Sequence, residues 1–537
     1  MSEKLEAYKK AEAPLPEQYD AWQVFGAGLE NVGRDGKPVT VPLREPKDNE
    51  ILLRVDALGL CLSDIKIINQ GENHPRLKGR DLKNDPTVLG HECSATVVKV
   101  GKQWQDKFKP GQRFIVQADI YVDGETMAFG YRIPGGLAEY TYLDERALDG
   151  DEGCYLLPVQ EDTGYSQSAL SEPWACVEMS YNLDDRLEPS GGPMLIVTDS
   201  PDQWKSTYPD ATIAPREAAK FPEGEFKDIV VTEPTPQLVQ PLADKCMPKG
   251  ANMYLVGAPA EMGSVSLDIG RIHYDNLRFY GGGNDLLELN KANGRSDLMP
   301  QGTALFIGAG GPMGQMHVQR AIEIPCGARL VVVTDLDRSR LDHIEHRFGD
   351  LAKHKGVELV TFAPTQFESQ DAMNEKIKSL SPNGYNDVCV LAPVPALVIQ
   401  AMDFAADNAL VNVFAGIPIG NPANLQLGDL CRGIKVIGSS GSRISDLRKI
   451  LEMAESGELN TDLSVAAIGG LNVARDGLEG VKTGQFPGKT VIYTQIPDLP
   501  LMGLDEIPEK LPQLADKLGP GGSWTQEAEK ALLEMYL

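Results

Sequence analysis

The sequence predicts an α/β fold in three parts: a strand-rich, partly open β-barrel, a doubly wound parallel sheet, and a partial copy of that sheet set between them. Three observations predict it. Residues 21–184 run in short alternating strands broken by glycine and proline. Residues 303–335 read as strand, glycine-rich loop, helix, strand and acid, and further strands follow at 357–362, 387–393, 409–416 and 434–438 with helical patterns between them. The intervening segment repeats the second region: 226–234 resembles 385–393, 254–259 matches 413–418, and 277–283 parallels 434–440. Asp228 and Gly257 both lie 159 positions before their counterparts Asp387 and Gly416. Constant register across strand, helix and strand argues for a duplicated half.

Taken in order, residues 1–20 are polar and contain Pro14 and Pro16, which predicts an extended arm. The strand 51–58 runs into a turn at Cys61, and His91 and Glu92 precede the strand 94–100. Glu172-Pro173 opens a helix with proline in its first turn. In the first copy of the repeat, the strand 194–199 leads directly into Ser200-Pro201. No glycines stand there for a phosphate to approach, so this copy is not expected to bind a dinucleotide in the usual way. The second copy has the glycines: Gly308-Ala309-Gly310-Gly311-Pro312-Met313-Gly314 between strand and helix, with Asp335 ending the second strand. Glycines admit the pyrophosphate to the helix N-terminus, and the acid holds the ribose hydroxyls. The expected domains are a catalytic domain at 1–189 with 465–537, a degenerate Rossmann-like subdomain at 190–297, and a dinucleotide-binding Rossmann domain at 298–464. Residues 524–537 read as an amphipathic C-terminal helix that docks on the rest.

Composition narrows the class. The 537 residues are 42% hydrophobic and 24% charged, enough for two to four globular domains. A net charge of −26 argues against nucleic acid and anionic membranes as partners. Eight cysteines without a Cys-x-x-Cys pair make no disulfide framework and point to a reducing cytoplasm. The N-terminus lacks the apolar stretch of a signal peptide, and no run of 18 apolar residues suggests a transmembrane helix.

The chemistry gathers in three places. Gly59-Leu60-Cys61-Leu62-Ser63-Asp64, Gly90-His91-Glu92 and Ser171-Glu172-Pro173 together offer a thiol, an imidazole and carboxylates. Each alone is weak; combined, they suit a mixed S/N/O zinc site with a position open to substrate. This pattern, with Lys109-Pro110-Gly111-Gln112-Arg113 and the glycine loop, resembles the medium-chain zinc-containing alcohol and polyol dehydrogenases. The likeness points to the sorbitol dehydrogenase-like group and, within it, the L-sorbose-1-phosphate reductase branch. It implies a GroES-like barrel for the catalytic domain.

The resemblance also implies roles. Cys61 and His91 are ligands of one catalytic zinc, and Glu92 is a third ligand or lies directly beside it. Glu172 stands where relatives carry a cysteine or a glutamate and reaches toward the metal. Ser63 hands the substrate proton onward, and Asp64 orients the site. Residues 114–153 contain no cysteine, so the optional structural zinc is not expected. Gly308, Gly310, Gly311, Pro312, Met313, Gly314, Asp335 and Arg340 are the candidate cofactor residues. The loop is one residue longer than Gly-x-Gly-x-x-Gly; aligned on Pro312-Met313-Gly314, its first glycine position falls on Ala309. Asp335 favours NAD, while Arg338 or Arg340 leaves NADP open.

The loop 69–80 carries His74, Arg76, Lys78 and Arg80, which form either a clamp for a substrate phosphate or a solvated loop. The expected protein is a cytoplasmic, homo-oligomeric oxidoreductase acting on a small polyol, sugar or sugar phosphate. The alternative is an isomerase or lyase that oxidises its substrate transiently with tightly held NAD.

Overall fold

A computed structural model describes the chain except residues 1–2, 78, 183–188, 190, 218–219, 287–288, 290–294, 296 and 325–326. It divides into two compact units, Met1–Cys176 with Gly441–Leu537, and Val177–Ser440.

The first unit is built on a sheet of eight strands. Its centre is Ile51–Gly59, buried along its whole length. Glu92–Val100 pairs antiparallel with it, and the register sets Gly59 opposite Glu92. Lys489–Tyr493 flanks the other side, with Val491 opposite Gly59. Three distant segments therefore end at one point, and that point carries the candidate metal site.

The N-terminus departs from expectation. Glu3–Lys9 is a helix, not an extended arm. Its polar composition conceals two core contacts, Leu5 and Tyr8, at i, i+3 spacing on one face. The Tyr8 hydroxyl donates to Asp56 at 2.6 Å, and the Arg54 guanidinium lies 3.4 Å from the Tyr8 ring centroid.

The C-terminal helix is present at Gln526–Tyr536, capped by the Thr525 hydroxyl. Ala528, Leu532 and Leu533 are buried on its inner face. Its buried Glu529 accepts from the backbone amides of Tyr165 and Ser166 at 2.6 and 2.7 Å and from the Tyr493 hydroxyl at 2.9 Å. Glu529 also bears on Asp462, whose carboxyl is pushed up to about 7, first by burial and then by the Glu529 charge; the hydrogen bond from Ser166 pulls the other way. Because the native state then binds this proton more tightly than the unfolded chain, the group stabilises below its ordinary value of 3.8 and loses that contribution as pH rises through about 7. Asp462→Asn is therefore expected to flatten the stability profile over that window and to gain roughly 3–4 kcal/mol over wild type at pH 8 relative to pH 4. Urea denaturation at both pH values checks this.

The second unit is organised by one sheet of eleven strands. Its second half runs, across the sheet, Glu358–Phe362, Leu330–Thr334, Thr303–Ile307, Tyr385–Val390, Ala405–Val413, Lys435–Ile437, all parallel. In chain order this is 3-2-1-4-5-6, the dinucleotide-binding topology. The first half runs Thr212–Ala214, Met194–Val197, Asp228–Thr232, Asn252–Val256, Arg278–Gly281, also parallel. It is the same order without the third strand. The last strands of the two halves meet antiparallel, with Phe279 opposite Val436.

Ser264–Asp268 and Pro422–Gln426, at corresponding places in the two halves, also pair antiparallel. The join is close-packed on both sides of this seam. A Cβ on Gly281 would collide with the Leu430 carbonyl oxygen, and a Cβ on the corresponding Gly438 would meet the Ile272 carbonyl oxygen, in the helix corresponding to Leu430's. Each half thus presents the same patch to the other, as across a twofold interface. Since backbone cannot swing aside, Gly281→Ala and Gly438→Ala are each expected to cost about 1–3 kcal/mol. Gly349→Ala, in the helix Arg338–Lys355 with open space beside it, is expected to gain up to about 1 kcal/mol instead. Denaturation midpoints compare the three.

Candidate metal and cofactor sites

Cys61 caps the helix Leu62–Gln70, and His91 and Glu92 stand at the start of Glu92–Val100. One donor atom from each of Cys61, His91 and Glu92 lies within 4.8 Å of the others. Asp64 Oδ2 accepts from the Cys61 amide at 3.1 Å, and its Oδ1 lies 3.4 Å from His91 Nδ1. This fully buried carboxylate holds the turn and lies beside the ring. The Ser63 hydroxyl lies 3.0 Å from Cys61 Sγ and 3.2 Å from His91 Nε2, facing the same centre. Gly59 is required next to them, because a Cβ there would strike Glu92 Oε2.

The residues fit a zinc ion. Thiol, imidazole and carboxylate are its donor types, and Glu92 Oε2 is buried without a hydrogen-bond partner. Glu172, in the helix Ser171–Met179, is buried but is not one of the three converging donors. Its carboxyl is raised to about 7, first by burial and then by Glu92, against the opposing pull of His91 and Lys489. A dication would offset this concentration of acidic groups.

Three residues that the sequence reading passed over complete the surroundings. Lys489, only 4% exposed, makes an ion pair with Glu92 Oε1 and donates to the Leu60 carbonyl at 3.2 Å. Its signal was a lysine opening the otherwise apolar strand Lys489–Tyr493. The Tyr131 ring packs 5.6 Å from the His91 ring. Asp119 lies 2.9 Å from an Arg76 guanidinium nitrogen. Of the cationic loop, Arg80 is tied to the Asp85 carboxylate and to the carbonyls of Asp85, Pro86, Tyr131 and Arg132. Lys78 lies outside the described residues.

In the second unit the glycine loop joins Thr303–Ile307 to the helix Pro312–Glu323. Gly308 turns with φ of 72°. A Cβ on Gly314 would come within 2.5 Å of the Ala309 backbone, whereas Gly311 has open space beside it, as an approaching phosphate needs. Pro312 and Met313 form the first turn of the helix. Asp335 Oδ2 accepts from the Gly310 amide at 2.8 Å, so loop and acid are held together. The two nearby arginines are engaged: Arg338 with Asp342 and Glu345, and Arg340 with Asp337 at 3.7 Å. In the first half, Arg216 follows the strand Thr212–Ala214 and bonds Asp199 and Glu233. An arginine stands there in place of a ribose-binding acid.

The alcohol dehydrogenase GroES-like domain matches residues 47–149, which hold Cys61, His91 and Glu92. The structure resembles 2R,3R-butanediol dehydrogenase from Bacillus subtilis, with a TM-score of 0.54 at 15% identity over 89% of this chain and 99% of that one. It also resembles acetophenone reductase from Geotrichum candidum in complex with NAD, with a TM-score of 0.52 at 17% identity over 90% and 99%. These likenesses show the GroES-like plus Rossmann fold. The chain is similar to zinc-type medium-chain alcohol and polyol dehydrogenases. Along nearly its whole length it is similar to L-sorbose 1-phosphate reductase of Klebsiella pneumoniae, at 25% identity over 93% of this chain and 95% of that one. Mannitol-1-phosphate 5-dehydrogenase of Aliivibrio fischeri is also 25% identical, over 91% and 92%. Sorbitol dehydrogenase of Gallus gallus is 32% identical over 29% of this chain and 46% of its own.

Proposed function

We propose that this protein is a zinc-dependent oxidoreductase that transfers hydride between a nicotinamide cofactor and a secondary alcohol or ketone of a polyol, sugar or sugar phosphate. The observation that carries the reading is the convergence of Cys61, His91 and Glu92, with Ser63 hydrogen-bonded among them. Cys61, His91 and Glu92, with Glu172 nearby, would hold one zinc, which would supply Lewis acidity toward the substrate oxygen. Asp64 lies beside the His91 ring, and Lys489 holds one oxygen of Glu92. Ser63 would receive the hydroxyl proton and pass it outward, or return it when a ketone is reduced, and a bound nicotinamide would supply the hydride chemistry at the carbinol carbon.

The glycine loop from Gly308 to Gly314 takes the pyrophosphate, and Asp335 takes the ribose. With Arg338 and Arg340 already paired to acids, the loop favours NAD over its 2′-phosphate counterpart. No described helix is long and apolar enough to cross a membrane. We read the enzyme as cytoplasmic and as a homo-oligomer. The edges of Arg278–Gly281 and Lys435–Ile437 are occupied by each other, so self-association uses another surface.

The test is absorbance at the reduced-nicotinamide band, with zinc-loaded protein, NAD or NADP, and a panel of polyols and their phosphates. Turnover with at least one member supports the reading. Bound cofactor that shows no net change while a substrate is isomerised or cleaved refutes it in favour of internal redox chemistry.

A further inference from the structure

Resting on the polyol reading, we propose that Arg76, flanked by His74 and Lys66, is an anion subsite, and that the physiological alcohol or ketone carries a phosphate. The Tyr131 ring links this subsite to the metal donors. One side of the ring packs against His91 at 5.6 Å between centroids. The Arg76 guanidinium carbon lies 4.8 Å from its centroid, and the His74 ring 6.3 Å away. Guanidinium and imidazole are thus two contacts apart, within the length of a phosphorylated six-carbon alditol.

Arg76 is anchored yet open. Asp119, whose side chain is 12% exposed, holds one nitrogen at 2.9 Å, while the Arg76 side chain stays 33% exposed. A carboxylate behind a guanidinium fixes its plane and leaves other N–H groups to present, the arrangement that suits bidentate phosphate binding. Lys66 adds a second charge, and His74, its pKa lowered by burial and then by Arg76 and Lys66, stands beside them as a neutral imidazole. Charge balance also argues for an anionic ligand. The chain carries −26 overall, and Asp64, Glu92, Asp119 and Glu172 surround the centre. A neutral polyol gains little from such a cation cluster, whereas a phosphate needs it to approach. Arg80 is the internal contrast, since carbonyls and Asp85 consume its donors.

The experiment measures kcat/KM of the full-length, zinc-loaded enzyme for mannitol 1-phosphate against mannitol, and for sorbitol 6-phosphate against sorbitol. Wild type is expected to prefer the phosphorylated member of at least one pair. Arg76→Gln is expected to reduce that preference by about 10- to 100-fold, chiefly through KM, the loss for a charge-assisted hydrogen bond. Arg76→Lys is expected to fall between. Inorganic phosphate is expected to compete with the phosphorylated substrate in wild type and to lose potency in the variants.

Equal turnover of phosphorylated and free polyols by wild type, or an unchanged ratio in Arg76→Gln, overturns the subsite. If Arg76→Gln does not fold, Arg76→Lys and phosphate competition in wild type decide, and absence of competition overturns it. Turnover of none of the four compounds, or of other classes of alcohol in their place, counts against the polyol reading itself, a separate failure.

Discussion

Cys61→Ala is expected to lower kcat/KM by about three orders of magnitude or more and to leave the protein without stoichiometric zinc. A Lewis-acid metal stabilises developing charge by several kcal/mol, and each 1.4 kcal/mol is roughly a tenfold rate effect. Cys61 supplies the only sulfur among the converging donors, so its loss removes both a ligand and the thiolate charge that offsets the ion. Ser63→Ala separates metal binding from proton transfer. Ser63 touches Cys61 Sγ and His91 Nε2 but is not one of the donors. Its variant is expected to keep zinc and to lose about 100- to 10,000-fold in kcat, the range for general acid–base groups. Metal analysis alongside steady-state kinetics reads both. Loss of zinc in Ser63→Ala, or full activity in Cys61→Ala, contradicts the assignment of roles.

Lys489→Met is expected to destabilise the zinc-free protein by roughly 3–5 kcal/mol, the cost of leaving one partner of a buried ion pair uncompensated. Glu92 is fully buried, and Lys489 is its ion-pair partner in the fold. Two comparisons make this specific. Zinc-loaded Lys489→Met is expected to suffer less, because the ion supplies positive charge beside Glu92. Lys489→Met combined with Glu92→Gln is expected to recover part of the loss, since a neutral amide replaces the stranded charge. Thermal and urea unfolding, each with zinc and with chelator, give the four values. Identical losses with and without zinc would place Glu92 away from the metal.

Much of this site was legible in the sequence because the donors sit in short segments with their own punctuation. Cys61 follows a strand and Gly59, and His91 follows Gly90, whose φ of 90° suits glycine. The glycine loop and Asp335 were legible for a similar reason: strand, loop, helix and strand are contiguous. Lys489 and Tyr131 were not, because each is brought in by pairing or packing over hundreds or tens of residues, which no local pattern encodes. The N-terminal helix was missed because only Leu5 and Tyr8 carry its contact with the core.

The duplicated half was visible through its constant offset of 159 residues. Its antiparallel union with the second half was not visible, since equivalent strands predict equivalent neighbours and do not say that the two copies meet. The glycine pair Gly281 and Gly438 carries that information, but only once the opposing carbonyls are known. The cationic loop shows the same limit from another side. Four basic residues in sequence look alike, and only the fold separates Arg80, tied to carbonyls, from Arg76, poised on Tyr131.

The most direct measurement of the central claim is a zinc titration of chelator-treated protein, followed by nicotinamide absorbance in the presence of a turned-over polyol or polyol phosphate. Negligible activity is expected without metal, with recovery that saturates at one zinc per chain and is absent in Cys61→Ala. Activity that persists in the metal-free protein, or that needs a second zinc, would contradict the claim.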